Sequence, residues 1–127
     1  MGVRWPNIMN TALFVNERFA ARHEAIVIEY IKACLRTHRT LGSSVKSLVE
    51  AAHALLPDRD GNFESMAAAY VDARSWSPDG GASPAAIRET AAFLRRTGNL
   101  TEAVETSRLM NRRFLDRALE ELKDGAP

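Results

Sequence analysis

The chain has one cysteine in 127 residues, so no internal disulfide can staple it and its stability has to come from packing. It has almost no net charge: 17 basic side chains stand against 16 acidic ones, a formal charge of +1. That balance leaves no overall electrostatic footprint for nucleic acid or for an anionic membrane. No apolar run approaches the roughly 18 residues that a membrane-spanning helix requires, and the opening "MGVRWPN" has no apolar h-region of a secretory leader. Catalytic signatures are missing as well. There is no G-x-S-x-G and no glycine-rich phosphate loop. Internal repeats and low-complexity tracts are also lacking, and the length fits one domain.

Helical signals fill most of the chain. Asn16 is placed to cap a short helix from Glu17 to about Arg22, and a longer one follows from Glu24 to about Thr37, with Val27, Tyr30, Ile31, Cys34 and Leu35 at helical spacing. After "TLGSS", the positions Val45, Leu48, Val49, Ala52, Leu55 and Leu56 make an amphipathic stripe that stops at Pro57. Phe63, Met66, Ala67, Tyr70 and Val71 mark another, and "SWSPDGGAS" breaks it as a loop. Ser83 followed by Pro84 is a helix opening, and Gly98 closes the segment it opens. The last helix sets Phe114, Leu115, Ala118, Leu119 and Leu122 on one side. The resulting division is 1–16 strand or arm, 17–56 helices, 57–62 turn, 63–74 helix, 75–83 loop, 84–97 helix, 98–110 connector and 111–123 C-terminal helix.

One stretch departs from this pattern. Ala12, Leu13, Phe14 and Val15 are apolar at every position, as in a strand covered on both faces, yet nothing later in the chain reads as a second strand. Buried backbone groups left unpaired cost on the order of 1 to 3 kcal/mol each. Two outcomes are open: the four residues coil into the helix that follows, or they pair with another chain, most simply a second copy across a two-fold axis.

Few residues invite chemistry. "DRDGN", Asp58 to Asn62, resembles the front of a calcium loop, but its sixth position is Phe63 where glycine is needed and its twelfth is Ala69 where glutamate is needed. It reads as a polar turn with Asn62 as a helix cap. His23, His38 and His53 have no spacing suited to sharing a zinc with Cys34, which reads as a small core residue. "RTHRT", Arg36 to Thr40, suits a helix end, where basic side chains oppose the negative pole of the dipole. The pairs Arg95–Arg96 and Arg112–Arg113 lack the interleaved aromatics of a nucleic-acid surface. Trp76, in the Pro/Gly loop, is the one candidate ligand contact: either an anchor plugged into the core or a wall of a cleft. No metal ligand set, cofactor site or catalytic residue is expected.

The order "ALFVNERFA", "IKACLR", a tryptophan loop, "FLRRTGNL" and "SRLMNRRFLDRAL" resembles the C-terminal segment of periplasmic substrate-binding proteins of ABC importers in the taurine, alkanesulfonate and nitrate group, a fold similar to that of thiamine-pyrimidine synthases. Val15–Asn16, Phe93–Leu94, Gly98–Leu100, Leu109–Met110, Phe114–Leu115 and Ala118–Leu119 stand at the corresponding positions. His23–Glu24 replaces the proline that usually opens the long helix. The resemblance implies a lobe fragment of a two-lobed α/β binding protein for a small organic solute, periplasmic as part of a secreted parent and cytoplasmic if the chain is complete as given. The ligand-contacting body of that family precedes such a segment, so no ligand residue is carried over.

The fold expected is therefore mainly α, with about five helices and one candidate short N-terminal strand. The expected role is structural: a non-enzymatic part of a binding protein whose partner is the remainder of the lobe. The alternative is a free-standing helical interaction domain that forms a homodimer through Ala12, Leu13, Phe14 and Val15.

Overall fold

A computed structural model describes residue 9 and residues 12–57, 59, 61–81, 83–105 and 109–124. These form six helices in the order α1 (Glu17–Arg22), α2 (Glu24–Leu41), α3 (Val45–Leu55), α4 (Phe63–Asp72), α5 (Pro84–Arg96) and α6 (Arg113–Asp124). The mainly α expectation holds. There is no strand among the described residues, so the candidate strand at Ala12–Val15 is not formed within a single chain. Nor do those residues coil into α1. Asn16 sits in the extended region and its Oδ1 accepts from the N–H groups of Arg18 at 2.9 Å and Phe19 at 3.2 Å, which caps α1 and stops the helix from growing backward.

Local chemistry sets the other boundaries too. Ser44, Asn62 and Ser83 each accept a hydrogen bond from the backbone N–H three residues on, at 3.0 to 3.2 Å, and such a cap contributes about 1 kcal/mol. Pro84 follows its cap at the first helical position, where its missing N–H is no loss. α2 runs past Thr37 to Leu41, because nothing in "RTHRT" breaks a helix before Gly42. Gly98 ends α5 with φ +75°, and the N–H groups of Asn99 and Leu100 close back on the carbonyl of Leu94.

The principal core lies between α2 and α6, with α1 at its side. Ala20, Val27, Ile28, Leu35, Phe114 and Ala118 are buried together, and Ile31, Leu115, Leu119 and Leu122 pack against them. Ala118 is fully covered, so the two helices meet at a methyl group. The apolar side read for α6 is the one that faces the core. Lys32 of α2 ties the pair at its edge: its Nζ lies 2.5 Å from Glu29 Oε1 and 3.1 Å from Glu121 Oε2, and Arg117 Nε donates to Glu121 Oε1 at 3.1 Å. The hydrogen bonds it donates to Glu29 and then to Glu121 hold the Lys32 ammonium above its ordinary pKa. Lys32 and then Arg117 hold the Glu121 carboxyl below its own.

α3 and α4 form a second pair, an antiparallel hairpin with His53 edge-on to Phe63 at 5.1 Å. It is thinly covered. No residue of α3 is buried, and Ala67 alone is buried in α4. No other helix approaches α5 closely among the described residues, although Ala86 and Ile87 are buried and Met9 N–H donates to Thr90 Oγ1 at 3.0 Å.

Candidate functional site

The residues with most to offer are apolar ones that the chain does not bury. Leu13 is 68% exposed, Phe14 91% and Val15 47%, so the segment preceding the Asn16 cap presents three large side chains to water. Phe19, on the first turn of α1, is also exposed and lies against the ring of His23 with centroids 4.7 Å apart. Scattered single exposures of this kind are ordinary, but consecutive ones are not. All four residues expected at a partner interface, Ala12 to Val15, are exposed.

A second apolar surface adjoins the arm in sequence, and the sequence reading missed it. Helical spacing had grouped Tyr30 with Val27, Ile31, Cys34 and Leu35 as one stripe. In the structure Val27, Ile28, Ile31 and Leu35 face the core, while Tyr30 is 55% exposed on the other side together with Ile26 at 59%. The neighbouring Cys34 side chain, through hydrogen bonding first and then charge, raises the Tyr30 phenol above its usual pKa. Cys34 is half-buried, one turn from Tyr30, rather than a core residue.

Trp76 behaves as an anchor. Its half-buried indole lies nearly parallel to two rings from separate helices, His38 of α2 at 6.3 Å and Tyr70 of α4 at 5.5 Å. The loop around it is tied down by Arg39 Nε donating to the carbonyl of Pro78 at 3.0 Å. At Gly42 an added Cβ would lie 3.4 Å from Trp76 Cβ and 2.5 Å from the carbonyl of His38, so the absence of a side chain there lets the loop close on the end of α2. His38 Nδ1 is covered and has no hydrogen-bond partner, which fits a ring held by stacking. Within the loop, Asp79 accepts from the Ser77 hydroxyl and from Gly81 N–H, and these bonds hold its carboxyl below the usual range.

The remaining candidates are dispersed. His23 and His53 are exposed, and no three His, Cys, Asp or Glu side chains converge as a metal site among the described residues. Asn62 caps α4 as expected, while Asp58 and Asp60 of "DRDGN" lie outside the described residues. Concave features are shallow and open. One of about 540 Å³ runs along the outer face of α6 beside Arg113, Asp116 and Arg117, and one of about 290 Å³ lies between α2 and α6 beside Glu24, Ile28 and Glu121. Neither encloses a small molecule on the scale of an apolar ligand pocket. No described helix is long and apolar enough to cross a membrane.

No family model, curated protein or solved structure matches this chain.

Proposed function

We propose that the chain is a non-catalytic interaction module that self-associates through its N-terminal arm, Ala12 to Val15. The observation that carries this is the run Leu13, Phe14 and Val15, left bare ahead of a helix whose cap keeps them out of it. Unpaired backbone and apolar side chains in one segment form an edge on which another strand can add, and a second copy supplies a strand of matching length.

Backbone amide exchange tests this directly. With the protein at low micromolar and then at submillimolar concentration, the N–H groups of residues 12–15 become protected as the mass doubles. Free exchange of those amides in a sample shown to be dimeric by light scattering would remove the arm from the interface.

A second reading keeps the chain as the closing piece of a solute-binding lobe of the ABC-importer type, a structural role in capturing a small organic solute. An apolar segment just ahead of a capped helix is the order that the returning strand of such a lobe needs. This reading predicts an in-frame α/β body encoded upstream, and a chain that binds that body in preference to itself.

A further inference from the structure

We infer that the outward face of α2 is a self-complementary antiparallel seam, in which Tyr30 of one chain packs on Ala33 of a second copy across a two-fold axis. This rests on the self-association proposed above and names the helix surface that completes it.

The spacing of that face is specific. Ile26, Tyr30, Ala33 and Thr37 follow one another by four, three and four residues, the alternation that keeps a narrow stripe facing a neighbouring helix. All four are exposed, on the side of α2 turned away from its α6 contact. Thr37 directs its hydroxyl into its own helix, donating to the Ala33 carbonyl at 2.9 Å, so the outward face carries no unsatisfied polar group at that position. Ala33 is small enough to let helices approach and Tyr30 is large enough to fill the opposing space.

Orientation follows from size and charge. With the two-fold axis midway between Tyr30 and Ala33, Tyr30 meets Ala33 of the second copy and Ile26 meets Thr37. Parallel pairing would instead set tyrosine against tyrosine and alanine against alanine, leaving a gap. Along one edge of the stripe stand Glu29 and Arg36, seven residues apart and so on the same flank. Antiparallel pairing brings Arg36, which makes no ion pair within its own chain among the described residues, beside Glu29 of the second copy. Parallel pairing would place Glu29 beside Cys34. Antiparallel helices also oppose their dipoles.

On the seam itself Ile26 and Tyr30, at roughly 100 Å² each, give about 200 Å² per chain, so the arm supplies the larger share of the ~800 Å² per partner of a stable interface.

The test uses the full-length chain with Cys34→Ser. One preparation carries Ile26→Cys and another Thr37→Cys, and the two are mixed and gently oxidised. The expected product is the mixed disulfide between positions 26 and 37. Copies of the same position stand roughly 16 Å apart along the axes, beyond the ~7 Å reach of a disulfide. In parallel, Tyr30→Asp weakens self-association about a hundredfold or more while Tyr30→Phe does not, with helicity of both checked by circular dichroism. A dimeric parent that yields only same-site cross-links, or none, overturns the seam and leaves the arm as the interface. A parent that stays monomeric at submillimolar concentration overturns both.

Discussion

Phe14→Ser separates a side chain that serves the fold from one that serves an interface. At 91% exposure the ring makes almost no contact within its own chain, so removing it changes monomer stability by less than about 0.5 kcal/mol, the range of ordinary surface substitutions. In a dimer that covers the arm, the same ring contributes about 1.5 to 3 kcal/mol of burial. Two copies are lost at once, about 3 to 6 kcal/mol, which at 1.4 kcal/mol per decade raises the dimer dissociation constant about a hundredfold to ten-thousandfold. Sedimentation across a dilution series reads the dissociation constant, and thermal unfolding at the lowest concentration reads the monomer. A lower melting temperature for the dilute variant would mean that Phe14 packs on its own chain. An unchanged dissociation constant in a chain that does self-associate would refute the role of the arm.

The fold makes its own predictions. Leu35→Ala, at the most buried large side chain, destabilises by about 2 to 5 kcal/mol in chemical denaturation, and a loss below 1 kcal/mol would mean that the α2–α6 core is not close-packed. Gly98→Ala has open space for its methyl group but forces alanine to φ +75°, so it costs about 1 kcal/mol from backbone strain alone, read as a modest fall in midpoint. Stability also depends on pH at both ends. Glu121 lies below its ordinary 4.5, so its contribution is present above that value and is lost as pH falls through its folded pKa; Lys32 lies above its ordinary 10.5, so its contribution is present below that value and is lost as pH rises through its folded pKa. Unfolding curves across pH show the plateau between, and Lys32→Gln flattens the alkaline limb.

Much of the helical layout is legible in residue spacing because each element has one dominant apolar side and chemically obvious ends. In α6 the stripe from Phe114 to Leu122 stands alone against charged neighbours, and the structure buries that side. α2 is different: apolar side chains at 26, 27, 28, 30, 31, 34 and 35 surround most of the helix, and periodicity cannot say which of them face the core. That choice is made by α6, which is distant in sequence, and its consequence is that Tyr30 and Ile26 turn outward. α3 and α4 were readable as stripes, yet Leu55, Met66 and Tyr70 stay exposed because each helix of the hairpin has little but the other to cover it. Trp76 could be singled out as a loop indole, but its companions His38 and Tyr70 come from two other elements, which no local pattern connects. The arm was legible in composition alone. Asn16, a single cap, decides that it stays outside α1.

Because the core joins α2 to α6, with Lys32 and Glu121 separated by 89 positions, this core cannot close until all the chain between them has been made. Until the codons for α6 have been translated, the inner side of α2 has no cover, and the nascent chain carries greasy surface on both flanks of the same rod. Loss of α6 would thus be felt on distant α2, as a sticky helical surface that calls on chaperones rather than as the loss of a dispensable tail.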